Sequence, residues 1–397
     1  MIEETHKYQQ SILIVDDNKK NLQVLGALLV KEKLFVEFAI DGPSALNWLK
    51  KKKFDLILLD INMPGMDGYE VCSRIKNDNL NADIPIIFIT ANIESENIIK
   101  GFNAGAVDYI TKPFIQGELL ARVRTQLLIR KSSERIQLYV HEIEEHQRHI
   151  NSSINYARSV QKAILSKSDS NLKYLPEFFI FYLPKDIVSG DYYWVYKIED
   201  KLIIGIMDCT GHGVPGALLS ILGITLMNEI VKHEHIIQPD RILESLRSKI
   251  IEMLGQKKGP GVINDGVEGT VICYDFKSFK LLYSGSYIPM VLINEGEIIN
   301  LEVDRIPIGY TESMEKFTLR EIGIKKNDCL YLFTDGFNDQ FGGKMNKKFM
   351  IKHLKELLQA NHTKKMSEQK TILEKELNIW MKEAEQTDDI LVMGIRF

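Results

Sequence analysis

Short apolar runs recur through the first 115 residues: Ile12 to Val15, Phe35 to Ile40, Leu56 to Leu59, Ile86 to Ile89 and Val107 to Ile110. Segments with helical spacing separate them. That alternation predicts an α/β domain, with five strands in an open, doubly wound parallel sheet. From Gln116 to about Leu165 the pattern is helical throughout, with no proline and one early glycine, Gly117. Ile129, Ile136, Ile143, Ile150, Ala157 and Ile164 recur every seven residues. Val140 and Ile154 fill some intervening positions, and Ser133, Gln147 and Gln161 occupy others. So narrow a stripe predicts a parallel, two-stranded coiled coil with polar interruptions, in preference to a helix packed on its own domain.

From about Ser166 onward the pattern changes to many short strands. Candidates are Phe178 to Leu183, Asp191 to Ile198, Leu202 to Met207, Gly269 to Asp275, Lys280 to Ser284, Met290 to Ile293, Asp328 to Thr334 and Ile390 to Ile395. Helical spacing covers about 215–232, 240–254, 347–359 and 367–384. Strand runs with inserted helices predict an α+β domain, a β-sandwich flanked by helices. The expected division is residues 1–128, a helical linker at 129–165, and 166–397.

The composition changes this picture little. With 45% hydrophobic residues, 26% charged residues and a net charge of −4, the chain implies neither a nucleic-acid-binding field nor a strongly acidic tail. Four isolated cysteines (Cys72, Cys209, Cys273 and Cys329) argue against disulfides and structural zinc, and fit a cytoplasmic setting. The opening MIEETHKYQQ lacks an apolar signal core. The most apolar run, Ala217 to Val231, is expected to be too short to span a membrane and to form a buried helix.

Candidate chemistry lies at strand ends. In an open α/β sheet ligands bind outside the carboxyl ends of the strands. There the sequence places Asp16 and Asp17 after strand one, Asp60 at the end of strand three, Thr90 at the end of strand four and Lys112 after strand five. Converging carboxylates repel unless a hard cation such as Mg²⁺ joins them. A lysine and a hydroxyl beside that cation suit a phosphoryl group carried on Asp60.

These residues sit in "ILIVDDN", "DLILLDINMPGMDGYEV", "IPIIFITA" and "AGAVDYITKPF". Residues 11–128 thereby resemble a response-regulator receiver domain, which has a flavodoxin-like fold. The resemblance implies that Asp60 is the phosphoacceptor and that Asp16, Asp17, Asp60 and the Asn62 backbone hold Mg²⁺. It further implies that Thr90 and Lys112 contact the phosphoryl group, that Tyr109 is the switching aromatic, and that a sensor histidine kinase is the partner.

In the C-terminal segment Gly211 to Gly216 match the G-x-G-x-x-G dinucleotide fingerprint. That fingerprint needs a β-α-β unit with an acid at the end of its second strand, whereas "HEHIIQPDRILESL" follows here. Asp208 would also repel a pyrophosphate. The glycines are better explained as letting the backbone turn sharply behind a metal-binding aspartate. Asp191, Asp335 and Asp388 stand at other strand boundaries. Four such carboxylate sites could enclose two Mg²⁺ or Mn²⁺ ions, which together clamp a phosphate for in-line attack. A Ser-His-Asp alternative fails because Ser220, the serine nearest His212, has no elbow motif. His212 is expected to pack the loop. "HEIEEH" is no zinc-protease motif, since His141 and His146 are five apart.

Residues 166–397 resemble a SpoIIE-type serine/threonine phosphatase, a branch of the metal-dependent PPM phosphatases. The resemblance rests on "VSGDYYW", "DCTGHGVPGALLSILG", "YSGSYIPM", "PIGY", "LYLFTDGFNDQFGG" and "QTDDILVMGI". "INSSINYARSVQKAIL" resembles the helix leading into such domains, while "DGVEGTVICYD", from Asp265, is less typical. The resemblance implies that Asp208 bridges two metals, with the Cys209 carbonyl, Asp191, Asp335 and Asp388 completing the set. Asp388, the first acid of its pair, is assigned over Asp389. Lys185 is the candidate for binding substrate phosphate. Together the two resemblances imply phosphatase activity toward a phosphoserine or phosphothreonine protein, set by Asp60 phosphorylation and transmitted through a dimeric helix. A STAS-type anti-sigma-factor antagonist, in partner-switching signalling, is the implied substrate. The alternatives are a non-catalytic adaptor that binds a phosphoprotein, and dinucleotide chemistry at the glycine loop.

Overall fold

The computed structural model describes residues 9–91, 95–257, 266–312 and 314–397, the side chains of Ser95, Lys167 and Ser168 excepted. Asp265 therefore lies outside the described residues. The chain divides into two compact units, residues 1–147 and 148–397.

The first unit runs β1 (Ser11–Val15), α1 (Lys19–Lys31), β2 (Phe35–Ala39), α2 (Gly42–Lys51), β3 (Leu56–Asp60), α3 (Gly68–Lys76), β4 (Ile86–Thr90), α4 (Ser95–Asn103), β5 (Asp108–Thr111) and the start of α5 (Gln116–Leu172). Its parallel sheet has the order β2-β1-β3-β4-β5, the doubly wound arrangement expected from the alternation. β1, β3 and β4 are buried at every position because helices cover both faces. Leu13, Val15, Ile57 and Leu59 pack against α2 and α3, while Ile12, Ile14, Leu56 and Leu58 pack against α1 and α5. β5 begins one residue later than expected, because Val107 is exposed before the ladder starts.

α5 is one helix of 57 residues. It outruns the expected end at Leu165 by seven residues, and Leu165, Leu172 and Leu175 join the cores of the second unit. The heptad residues Ile129, Ile136, Ile143 and Ile150 are 56, 61, 65 and 54% exposed, so among the described residues nothing covers these four positions.

The second unit continues with β6 (Glu177–Leu183), β7 (Tyr192–Ile198), β8 (Lys201–Cys209), α6 (Gly213–Asn228), α7 (Pro239–Leu254), β9 (Val267–Asp275), β10 (Lys280–Ser286), β11 (Met290–Asn294), β12 (Glu297–Leu301), β13 (Arg320–Gly323), β14 (Cys329–Phe333), α8 (Gly336–Asp339), β15 (Phe341–Gly342), β16 (Lys347–Lys348), α9 (Ile351–Asn361), α10 (Met366–Met381) and β17 (Ile390–Arg396). Two antiparallel sheets, β13-β10-β9-β8-β7 and β12-β11-β14-β17-β6, face each other. Alternation along each strand makes the layers. Leu202, Ile204 and Ile206 of β8 meet Leu330, Leu332, Leu391 and Met393 between the sheets. Ile203 and Met207 point instead to Ile224, Met227, Leu246 and Ile250 of α6 and α7. On the far side Tyr331, Phe333 and Val392 pack on Leu354, Leu358, Leu373 and Leu377 of α9 and α10. The result is a sandwich with a helical layer on each outer face. The pattern had not marked β12 and β13, whose solvent-facing residues and short length hide their period.

One expectation is corrected. The apolar run in α6 is not too short: a π turn, Glu229–His233, extends it to 21 residues, Gly213–His233, long and apolar enough to cross a membrane by length and composition. Its buried face, including Ile224, Met227, Ile230 and Val231, belongs to the core against the first sheet.

Candidate active site

In the first unit the carboxyl ends of the strands gather the predicted residues. One carboxylate oxygen from each of Asp16, Asp17 and Asp60 lies within 4.8 Å of the others. Asp16 and Asp60 are buried, and Asp17 is exposed. Lys112 Nζ donates to Asp60 Oδ2 at 2.7 Å and to Asp16 Oδ2 at 2.9 Å. Burial alone would lower the Lys112 ammonium, but these two carboxylates outweigh it and hold its pKa above the ordinary value. Burial raises the Asp60 pKa against the opposing pull of Lys112. Asn21 Nδ2 donates to both Asp16 oxygens, at 3.1 and 2.9 Å, a contact the sequence reading had missed. The Asn62 N–H points at Asp60 Oδ1 over 3.4 Å. Thr90 is buried at the end of β4. Tyr109 is half-buried beside a crevice lined by Phe88, Thr90, Phe102 and Ala106. Its ring meets Phe102 edge-on at 6.3 Å, and the Arg122 guanidinium lies over it at 5.6 Å.

In the second unit the other predicted acids come to one edge of the sandwich. Asp208, at the end of β8, lies beside Asp191 and feels the charges of Asp335, Asp388 and Glu268. Burial, then those neighbours, push its pKa up to about 8. Asp191 is buried and stands well above the ordinary carboxylate range, first through burial and then through Asp208. Burial and Asp388 raise Asp335. Among the described residues no three of these acids approach within 4.8 Å as a set, so they form a wider cradle than the first-unit triad. Nor does any described Lys or Arg pair with Asp191, Asp208, Asp335 or Asp388. The set is thus all-oxygen and crowded, with only Lys348, itself paired to Asp339, reaching Asp335 from outside, which fits hard divalent cations. Cys209 offers only its carbonyl, since its side chain is buried in the helical-layer core.

Backbone crossings make the cradle possible. A Cβ on Gly336 would collide with the Asp389 carbonyl, so glycine lets the segments that carry Asp335 and Asp388 touch. A Cβ on Gly216 would likewise strike Gly211 O, beside Gly190. The glycine loop is therefore the packing surface between the Asp208 and Asp191 segments. β8 pairs antiparallel with both β7 and β9, so no β-α-β unit exists for a dinucleotide.

Asp388 and Asp389 differ sharply. Asp388 is exposed toward the other acids, whereas Asp389 is 3% exposed. Its two oxygens accept the N–H groups of Lys185 and Gly190, each at 2.7 Å. Thr334 Oγ1 donates to Asp191 Oδ2 at 2.6 Å. Ser220 is fully buried, its hydroxyl directed to Ala217 O at 2.9 Å, and is no nucleophile. His212 sits at the start of α6 with Nδ1 2.7 Å from Asp186 Oδ2. Lys185 is half-buried on the same loop. Glu268 was missed: it faces Asp208 across the β8–β9 ladder, a consequence of register that no local motif announces.

Comparison with known proteins matches this geometry. Residues 12–124 match the response regulator receiver domain, and residues 198–397 match Stage II sporulation protein E (SpoIIE). The response regulator PleD of Caulobacter vibrioides is 44% identical over 114 residues, 29% of this chain and 25% of that protein. The transcriptional regulatory protein ResD of Bacillus subtilis is 39% identical over 126 residues, 32% of this chain and 50% of that one. The chain therefore spans a quarter to a half of the length of these curated relatives. The solved SiaA-PP2C domain of Pseudomonas aeruginosa is 28% identical, with a TM-score of 0.58, over 64% of this chain and 98% of its own. With a receiver fold ahead of a two-sheet sandwich of the PP2C kind, the chain belongs to the SpoIIE family, as a response-regulator receiver domain joined to a PPM-type phosphatase domain.

Proposed function

We propose that this protein hydrolyses phosphoserine or phosphothreonine on a partner protein and that phosphorylation of Asp60 by a sensor histidine kinase sets its rate. The observation that carries the reading is the crowding of Asp191, Asp208, Asp335 and Asp388, none of which ion-pairs with a described Lys or Arg, on a chain that also holds the Asp16, Asp17 and Asp60 triad. Asp208, with Asp191, Asp335, Asp388 and the Cys209 carbonyl, would hold two Mn²⁺ or Mg²⁺ ions. Once bound, such a pair supplies an activated water and a clamp for phosphate oxygens. Thr334 fixes the Asp191 carboxylate, and Asp389 fixes the loop before it. In the receiver, Asp16, Asp17, Asp60 and the Asn62 backbone would hold Mg²⁺. Lys112 and Thr90 would bind the phosphoryl oxygens, and Tyr109 would report the change. Lys185 is the candidate for substrate phosphate.

The exposed heptad stripe supports a parallel homodimer through α5, which would carry the receiver's state to the phosphatase. A STAS-type anti-sigma-factor antagonist in the cytoplasm is the proposed substrate, and partner switching the proposed context. The test is Mn²⁺-dependent phosphate release from p-nitrophenyl phosphate, with and without acetyl phosphate. Activity lost in Asp208→Ala, and an acetyl phosphate response lost in Asp60→Ala, are expected. No release by the folded protein at any Mn²⁺ concentration, from this ester or from phosphoprotein, would favour the phosphoprotein-binding adaptor.

A further inference from the structure

Gln161 interrupts the heptad stripe of α5, where an apolar residue would serve a coiled coil. It is 4% exposed, buried within the second unit. Its Nε2 donates to Ser189 O at 2.6 Å and to Ser220 Oγ at 2.8 Å, and its Oε1 accepts from the Ser189 N–H at 3.3 Å. One side chain thus engages both backbone groups of Ser189, as a neighbouring strand would. Ser189 stands two residues before Asp191, and its hydroxyl donates to the Asp191 carbonyl at 3.3 Å. Gly190, between them, gives its N–H to Asp389 Oδ2 at 2.7 Å. The Asp191 segment is therefore gripped by two separate parts of the chain, the residue just before the last strand and the linker helix. Only the second grip belongs to an element that begins in the receiver.

We propose that Gln161 is a positioning residue for the catalytic centre. It sets the place of Asp191 by clamping Ser189, so the linker helix is itself part of the support for the metal cradle. The inference rests on the phosphatase reading above and names how that site is regulated. Buried amide groups without partners do not stay where they are. If α5 turns or slides, Gln161 must release Ser189 or drag it along.

The test uses the full-length protein with Gln161→Met, which keeps the side chain's length and removes its polar atoms. Amide hydrogen exchange is measured over residues 184–193 in EDTA, and phosphate release is measured against Mn²⁺ concentration. Faster exchange confined to that segment is expected. The Mn²⁺ concentration for half-maximal activity should rise about 10- to 100-fold, the usual effect of losing a partner that supports a metal ligand. The rate at saturating Mn²⁺ should change far less. Lys162→Gln, at an exposed neighbour, should match the wild type in both. Unchanged exchange, or a lower rate with an unshifted Mn²⁺ curve, would overturn the proposal. Should Gln161→Met not fold, Gln161→Glu keeps the acceptor for Ser189 N–H, loses the donor, and decides by the same two readouts. A wild type without Mn²⁺-dependent release would sink the phosphatase reading alone, because the exchange measurement still decides whether Gln161 clamps the loop.

Discussion

Asp388 and Asp389 are adjacent and chemically identical, yet the structure gives them different surroundings, and substituting each by asparagine tests the proposed division into ligand and brace. Asp389→Asn keeps one acceptor for the two N–H groups that Asp389 now satisfies, and sets an NH₂ group against the other. A hydrogen bond to a charged group contributes about 1.5–3 kcal/mol, and an unmet buried N–H costs about 1–3 kcal/mol more. Both losses fall on a site that is 3% exposed, where solvent screening is small. A loss of roughly 2–4 kcal/mol follows, since the amide recovers part of the lost bonding. For a unit of this size each kcal/mol moves the melting temperature by about 2–4 °C, which gives a fall of roughly 5–15 °C. Asp388→Asn keeps an acceptor for the one backbone N–H that Asp388 meets, that of Asp389, and relieves repulsion with Asp208 and Asp335. Its melting temperature without metal should equal or exceed that of the wild type, while Mn²⁺-dependent phosphate release disappears. Differential scanning calorimetry of the phosphatase transition, beside a Mn²⁺ titration, reads both variants. If Asp389→Asn melts with the wild type and Asp388→Asn melts early, the assignment of ligand and brace is reversed.

Three further outcomes are expected. Asp60→Asn and Lys112→Ala should each abolish the response to acetyl phosphate while leaving Mn²⁺-dependent basal release within about threefold, because neither residue belongs to the phosphatase unit; a retained response in both would place the phosphoacceptor elsewhere. Ile136→Lys with Ile143→Lys should convert a dimer to a monomer by light scattering, and a monomeric wild type would refute the coiled coil. In EDTA the phosphatase transition should fall in temperature as pH rises from 5 to 8.5. The sign follows from Asp208, whose folded pKa of about 8 lies above the ordinary 3.8. The folded state then binds protons that the unfolded state has released, and this stabilisation is lost as pH rises through that window. Saturating Mn²⁺ should remove the slope, and a flat profile in EDTA would mean the acids are not crowded.

Much of this molecule is written locally. Strands such as "LILLD" and "CLYLF" are short, apolar and bounded by polar turns, so the central strands of both units announce themselves. Asp16, Asp60, Asp208 and Asp335 stand at strand ends because turns there leave a side chain free at the sheet edge. The heptad stripe is equally local, since period seven needs no knowledge of the fold. What the sequence could not decide depends on contacts between distant segments. Asp389 reaches Lys185 and Gly190 across some two hundred residues of chain, so only the packing of β17 beside β6 reveals that it braces the loop and Asp388 does not. Glu268 joins the cradle through the register of β8 with β9. Gln161 looks, in sequence, like a flaw in a coiled coil. Burial turns it into the residue through which a linker helix holds the loop before Asp191, because a polar side chain taken out of water must find partners, and those partners are placed by the fold.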